Sequence, residues 1–177
     1  MRERPLLLGT EIIKQARAAG HRTVATCHTT TPAITSDTAW YPLDLRDPDR
    51  MAEVRPCLII NASSGGVDWA TTAQAPVRCP VHVSDLAAAL LELAEYDAAG
   101  VHHAAGTDAV SRHELGVLIA RRDGLDAARL AAGLRAESTL SGPLDVRLDS
   151  RTTQHLLSTW PRGAHEFLVA HEDGPRG

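Results

Sequence analysis

Apolar and polar positions follow two different periods along the chain, and the first third of the sequence shows both. Leu6–Leu8 forms a short apolar run of the kind found in a buried parallel strand. Residues 11–19 place apolar side chains at helical spacing, and Gly20 behind them predicts the end of a helix. Three further apolar segments are predicted to be strands: 22–27, 39–45 and 57–62.

The last two of these strands are separated by a short predicted helix. Asp47 is placed as its N-cap and Pro48 as its first-turn proline, with the helix running through Val54. Strands that alternate with short helices at these loop lengths are typical of a doubly wound parallel sheet. The pattern therefore predicts the α/β class.

Beyond Asn61 the pattern becomes mainly helical. An Ala/Leu-rich helix is predicted from a Ser/Asp cap over residues 83–97, with Asp85 as the capping group. Ser111 followed by Glu114 forms a capping box that opens another helix. The remaining segments with a predicted structure are a short strand at 100–106 and two terminal helices at 148–160 and 162–171.

Composition narrows the class of protein. The 177 residues are 44% hydrophobic and 23% charged, which is normal for a globular chain and too apolar for disorder. A formal charge of −4 gives no electrostatic reason to expect binding to nucleic acid or to an anionic membrane. The absence of a signal-peptide pattern and of a membrane-length apolar stretch predicts a cytoplasmic location. We expect Cys27, Cys57 and Cys79 to be reduced, partly buried thiols.

Metal and serine-hydrolase chemistry are not favoured by the motifs. His102 and His103 are adjacent in a predicted strand, so their side chains point to opposite faces and do not share a metal. The sequence contains neither a histidine pair with an acidic partner at metal-binding helical spacing nor a G-x-S-x-G elbow. We therefore predict no metal site and interpret most of the nine histidines as solvated.

Three quoted stretches carry a resemblance to a known family. WYPLDLRDPD (40–49), CLIINAS (57–63) and the segment from VHVSDLA to RRDGLD (81–126) resemble the extended short-chain dehydrogenase/reductases. Within that family they are most similar to the sugar-nucleotide reductase group typified by dTDP-4-dehydrorhamnose reductase. The resemblance implies a truncated Rossmann-like, doubly wound parallel sheet with a small helical C-terminal part. Residues 1–78 would form a partial NAD(P)-binding part and residues 79–177 a substrate-binding-like part, packed as one compact unit, with the family's middle block missing between them.

The missing block is where such enzymes carry their catalytic pair. The family resemblance implies a tyrosine that protonates the developing alkoxide and a lysine four residues later that holds the cofactor ribose. Tyr41 and Tyr96 are the two tyrosines of this chain, and Lys14 is its one lysine. They do not form Tyr-x-x-x-Lys in any register. We therefore assign no catalytic residue and leave open whether the chain is an enzyme.

Cofactor residues are implied by the resemblance at three places. Gly9 and Thr10 match the first turn of the family's glycine motif, where Ile12 stands in place of the second glycine and NADP or NAD would bind. A plain strand–turn–helix without tight dinucleotide binding is the favoured alternative there. Asp44 would accept from the adenine amino group with Leu45 beside the ring, or it simply ends a strand before a capped helix. The secondary candidates are Asn61, Ala62 and Ser63.

These observations predict a truncated, catalytically inactive relative of the sugar-nucleotide reductases that retains nucleotide or nucleotide-sugar binding. The alternatives are an active NAD(P)H-dependent oxidoreductase of nucleotide-sugar metabolism, a repurposed non-redox enzyme, or a partner subunit on the same fold. A parallel sheet that lacks strands exposes backbone hydrogen-bonding groups at its edge. Homo- or hetero-oligomerisation through that edge is therefore also expected.

Overall fold

A computed structural model describes residues 7–27, 38–44, 47, 49, 59–60, 77–96, 99–130 and 145–168 of the chain. Its helices and strands, in chain order, are α1 (Leu7–Ala18), β1 (Val24–Cys27), β2 (Ala39–Pro42), α2 (Val83–Glu95), α3 (Arg112–Arg122), a 3₁₀ turn (Ala127–Arg129), α4 (Arg151–Gln154) and α5 (Ala164–Phe167). Across these described ranges, no helix has both the length and the apolar character needed to span a bilayer.

The predicted first strand is wrong, because Leu7 and Leu8 lie in the first turn of α1. Leucine is a strong helix former and is not β-branched, so a run of three leucines does not by itself favour a strand. The apolar spacing also continues into this turn, since Leu8 is followed at four-residue intervals by the buried residues Ile12 and Ala16. This stripe extends the helix past Gly9, at a cost of about 1 kcal/mol for a glycine in a helix.

The predicted end of α1 is confirmed. Gly20 has a φ of 87°, a left-handed conformation that glycine adopts without a steric penalty. The Gly20 amide donates to the carbonyl of Arg17 at 2.9 Å, and the His21 amide donates to the carbonyl of Ala16 at 3.0 Å. These two bonds form a Schellman motif, which satisfies carbonyls that the helix end would otherwise leave without donors.

β1 and β2 confirm parts of two predicted strands. They pair in parallel, with Val24 opposite Ala39 and Cys27 opposite Pro42. Pro42 has no amide hydrogen to donate, and the Leu43 amide after it donates to the carbonyl of Cys27. Within the described residues the sheet has two strands. The chain is thus mixed helix and strand with a small parallel sheet, which is compatible with the predicted α/β class.

The structure describes only two residues of the predicted strand at 57–62, and neither belongs to a strand. Ile59 is 60% exposed, whereas the apolar run predicts a buried strand. The predicted N-cap at Asp47 agrees with the structure. Asp49 is helical, and its amide donates to Oδ1 of Asp47 at 3.2 Å.

α2 occupies the predicted helix, but its N-cap differs from the prediction. His82 is the N-cap residue, and its Nδ1 accepts the amide of Ser84 at 3.3 Å. Ser84 and Asp85 are already inside the helix, so their side chains are available to bind other segments. α2 packs on α1, and between them the Nε2 of Gln15 donates to the carbonyl of Ser84 at 2.9 Å.

The segment after α2 is not the predicted strand. Residues 101–106 form no strand. The amide of His103 donates to Oγ1 of Thr153, and the amide of Ala105 donates to Oγ of Ser150, each at 3.0 Å. The amide of Gly106 donates to a backbone carbonyl, that of Cys79, at 3.3 Å. These three amides therefore have acceptors without a strand ladder.

The capping box at the start of α3 is confirmed. The Glu114 amide donates to Oγ of Ser111 at 3.1 Å, and the Ser111 amide donates back to Oε2 of Glu114 at 3.4 Å. Behind α3, a small core contains the buried residues Val110, Ala164 and Leu168. This core holds the short α5 in place. The two predicted terminal helices are confirmed only over the short spans of α4 and α5.

The predicted boundary between the two parts of the chain lies in a segment bonded to later residues. Val77 forms a parallel bridge with Asp145, and Arg78 forms an antiparallel bridge with Val110. Cys79 beside them is a half-buried thiol, as is Cys27, in agreement with the sequence, whereas Cys57 lies outside the described residues.

Candidate functional site

The residues that match the family's glycine motif lie in a helix rather than in a turn before one. Gly9 and Thr10 belong to the first turn of α1, with Gly9 half-buried and Thr10 exposed. A dinucleotide turn requires glycines between a strand and a helix so that the backbone approaches the pyrophosphate. The described chain begins at Leu7, already in α1, so the predicted strand–turn–helix geometry does not occur at these two residues.

Asp44 lies at the carboxyl edge of the parallel strands. The amide of Leu43 donates to the carbonyl of Cys27 at 2.8 Å, which extends the pairing of β1 and β2 to the residue before Asp44. Asp44 is half-buried, and its carbonyl accepts the amide of Asp47 at 2.9 Å. The other residues implied by the resemblance lie outside the described residues: Leu45, Asn61, Ala62 and Ser63.

The lysine and the two tyrosines have surface positions. Nζ of Lys14 lies 3.4 Å from each carboxylate oxygen of Glu11, one helical turn away. A hydrogen bond from Gln15 is the leading cause that lowers the pKa of Glu11, and the Lys14 ammonium lowers it as well. Burial raises this pKa, but by less, so the carboxyl remains charged. Tyr41 and Tyr96 are each about half exposed, at 52% and 51%.

The best-connected polar cluster of the described chain lies at the N-terminus of α2. Arg162 donates to Asp85 through Nε at 2.7 Å and through Nη2 at 2.8 Å, and its backbone amide adds a third bond at 3.0 Å. Ser84 Oγ lies 3.3 Å from Oδ1 of Asp85 and 2.7 Å from Nδ1 of His82. The ring of Phe167 contacts the His82 ring, with centroids 5.5 Å apart.

Asp85 is charged in this cluster. Burial raises the pKa of its carboxyl, but the hydrogen bonds and positive charge of Arg162 outweigh that effect and hold the pKa below its ordinary value. The Asp85 side chain is only 12% exposed. The pair therefore joins α2 to the segment before α5, and Asp85 is not the helix cap that the sequence predicts.

His82 and Ser84 resemble a nucleophile–base pair by distance, but their partners do not favour that chemistry. The amide of Ser84 and Nη2 of Arg162 both donate toward Nδ1 of His82, at 3.3 and 3.1 Å. Since both groups can only donate, Nδ1 must present its lone pair to them. A nitrogen that already accepts two donors, one of them cationic, is a poor general base for Ser84.

A second cluster links the N-terminus of α5 to α3. Asp108 accepts the amide of Ala164 at 2.6 Å and the amide of His165 at 2.9 Å, so it caps α5. Nδ1 of His165 contacts the same carboxylate, and its Nε2 lies 3.2 Å from Oε1 of Glu114. Burial raises the pKa of Asp108, but the hydrogen bonds from His165 and Ala164 outweigh this effect and hold the pKa below its ordinary value.

The sequence patterns did not indicate either cluster. Arg162 and Asp85 are too far apart along the chain for a spacing rule, as are His165 and Asp108. Among the described residues, no group of three or more histidine, cysteine or acidic side chains has a metal-binding arrangement. No protein-family model, no curated protein and no solved structure matches the chain.

Proposed function

We propose that this chain is a non-reductive relative of the sugar-nucleotide reductases, which binds a nucleotide or nucleotide-sugar at the carboxyl edge of its parallel strands. The observation that carries the proposal is the position of Asp44, directly beyond β2 and beside the end of β1. Open parallel sheets bind ligands outside the carboxyl ends of their strands. A half-buried carboxylate at that edge has the chemistry to accept from a ribose hydroxyl or an adenine amino group.

A Rossmann-like arrangement is the finer fold that we propose. β1 and β2 follow one another in the sequence and pair in parallel, and such a pair requires a crossover connection. α1 precedes β1 as the first helix of such a unit does. These two features support the proposal, together with the sequence segments that resemble the family.

Loss of the reductase chemistry is the second part of the proposal. Proton donation to a keto oxygen requires a tyrosine whose pKa is lowered by a nearby lysine. These 177 residues contain no Tyr-x-x-x-Lys, and their one lysine, Lys14, pairs with Glu11 on the exposed side of α1. The position of Gly9 inside a helix also gives little support to a pyrophosphate turn for NADP or NAD.

A thermal-shift titration with NADPH, NADH, dTDP-sugars and UDP-sugars tests the proposal. A ligand that binds only the folded chain raises the melting temperature in proportion to ln(1 + [L]/Kd). We expect a concentration-dependent rise with nucleotide-sugars, which Asp44→Asn reduces. Asp145→Asn is the matched control, because it removes an exposed carboxylate paired with Arg147.

The outcomes separate the alternatives. A rise with NADPH or NADH, followed by turnover of a keto-sugar, would establish an active oxidoreductase instead. A rise with nucleotide-sugars that Asp44→Asn leaves unchanged would move the binding site away from the strand edge. No rise with any of these ligands would contradict the proposal, and a stable dimer on size exclusion would then favour a partner subunit.

A further inference from the structure

His165 lies between two carboxylates that belong to different segments. Its Nδ1 contacts Oδ2 of Asp108, in the loop before α3, and its Nε2 lies 3.2 Å from Oε1 of Glu114, in the first turn of α3. His165 itself is in α5. The imidazole ring is therefore a bridge between α3 and α5, and both of its nitrogens take part.

The protonation state of the ring decides whether both contacts can exist. An ionised carboxylate only accepts hydrogen bonds, so each ring nitrogen must donate to its partner. Imidazolium carries a hydrogen on both nitrogens, whereas neutral imidazole carries one. We propose that protonation of His165 controls the attachment of α5 to α3. The charged ring bridges the two helices, and the neutral ring releases Glu114.

The partners of the two carboxylates explain which contact is lost. Asp108 also accepts the amides of Ala164 and His165, so it stays at the N-terminus of α5 whatever the charge of the ring. Glu114 has a second partner in the amide of Ser111, at 3.4 Å within the capping box. When the ring loses its proton, its remaining N–H stays with Asp108, and Glu114 keeps its bond to Ser111.

The surrounding charges favour the protonated ring. The hydrogen bond to Asp108 is the leading cause that raises the pKa of His165, and the charges of Asp108 and Glu114 add to it. Glu166 is the next residue of α5, and its negative charge raises the pKa of Arg162. Arg112 and His113 are the basic residues of the first turn of α3, beside Glu114.

The pH range of the switch follows from this direction. A group whose pKa is higher in the folded state stabilises the fold below its unfolded pKa, which is about 6.5 for histidine. The contribution is lost as the pH rises through the folded pKa. The bridge is thus complete below the unfolded pKa and opens as the pH rises through the raised folded pKa, and its opening loosens α5 over the core residues Val110, Ala164 and Leu168.

A histidine titration followed by NMR on the full chain tests the proposal. We expect the Cε1–H resonance of His165 to titrate above the ordinary histidine value of about 6.5. Glu114→Gln should lower the His165 midpoint, because it removes one of the two carboxylates. A His165 midpoint at or below the ordinary value, or one that Glu114→Gln does not move, would overturn the proposal.

Hydrogen exchange provides the structural readout. The amides of Phe167 and Leu168 donate to the carbonyls of Gly163 and Ala164. We expect both amides to exchange faster, relative to their intrinsic rates, above the His165 midpoint than below it. In His165→Gln this protection should no longer change with pH. The matched control is His155→Gln, at an exposed position at the end of α4, and it should keep the wild-type change. Protection in α5 that is independent of pH in the wild-type chain would contradict the proposal.

Discussion

Arg162 binds the carboxylate of Asp85 through both its guanidinium group and its own backbone amide, although the two positions lie 77 residues apart in the sequence. The bidentate contact fixes the direction of both side chains, and the amide fixes the chain that carries Arg162. This relationship attaches the segment before α5 to the first turn of α2. The stability of the C-terminal part should therefore depend on it.

Asp85→Asn should destabilise the chain by about 1–3 kcal/mol, because it leaves a half-buried guanidinium without its anion. Urea unfolding in about 0.5 M salt measures the effect while screening exposed pairs. Asp149→Asn is the control, since Asp149 and Arg151 form a pair that is largely exposed. We expect no measurable change for it under the same conditions. Equal losses for the two variants would contradict the role given to Asp85.

The loss of stability at acid pH should depend on the protonation of Asp85 and Asp108. The pKa values of Asp85 and Asp108 lie below the ordinary value in the folded chain. A lowered pKa gives stability that is present above the unfolded pKa, about 3.9, and is lost as the pH falls through the folded pKa. Melting temperature should therefore fall with increasing steepness below about pH 4.

The variants Asp85→Asn and Asp108→Asn make this prediction specific. Each should be less stable than the wild-type chain at neutral pH and should lose less stability on acidification, because the titrating group is gone. A wild-type acid limb that is steeper than that of either variant would fit the sign of these shifts. A steeper acid limb in either variant would not.

Two glycines should respond in opposite ways to substitution by alanine. A Cβ on Gly106 would overlap the carbonyl oxygen of Pro80, a backbone atom that cannot move aside easily. Gly116 lies within α3, where an added Cβ would make an ordinary contact with Leu130 at 3.4 Å. Gly106→Ala should therefore destabilise the chain, whereas Gly116→Ala should stabilise it by about 0.5–1 kcal/mol. Thermal unfolding of both variants measures the difference, and destabilisation by Gly116→Ala would contradict this packing.

The chain should show no measurable reduction of a 4-keto sugar nucleotide by NADPH. Hydride transfer requires a nicotinamide held at near-attack distance and a proton donor on the keto oxygen. Loss of the donor alone is typically worth about 10²–10⁴-fold in rate. NADPH absorbance, followed with dTDP-4-keto-6-deoxy sugar and protein freed of host reductase, measures the activity. Steady consumption that depends on the sugar and is abolished by Asp44→Ala would overturn the prediction.

Local signals in the sequence predicted the ends of helices well. Gly20 ends α1 in a left-handed conformation, and Ser111 with Glu114 opens α3, because each of these devices involves residues within about five positions of one another. The same reasoning failed at Leu7 and Leu8, where a short apolar run fits a strand and a helix equally well. The segment forms a helix because its apolar stripe packs against α2, whose residues lie far along the chain.

In the candidate site, too, local features could be predicted from the sequence and contacts between distant segments could not. The position of Asp44 near the end of a strand could be predicted, since the segment 39–45 that indicates this strand is local in the sequence. The two polar clusters could not, because Asp85 meets Arg162, and Asp108 meets His165, only after α2, α3 and α5 have packed. The residues that resemble the family's cofactor turn illustrate the opposite case. Gly9 and Thr10 matched a motif in letters but belong to a helix.

By itself, the sequence determined the mixed helix-and-strand character of this protein, the end of α1 at Gly20, the capping box of α3 and the absence of a Tyr-x-x-x-Lys pair, because each of these depends on residues close together in the chain. Only the tertiary structure decided that Asp85 binds Arg162 instead of capping α2, and that His165 bridges Asp108 and Glu114. The physical reason is that a carboxylate takes the donors that folding brings within about 3 Å of it. Side chains from distant segments reach that distance only when the helices that carry them pack together.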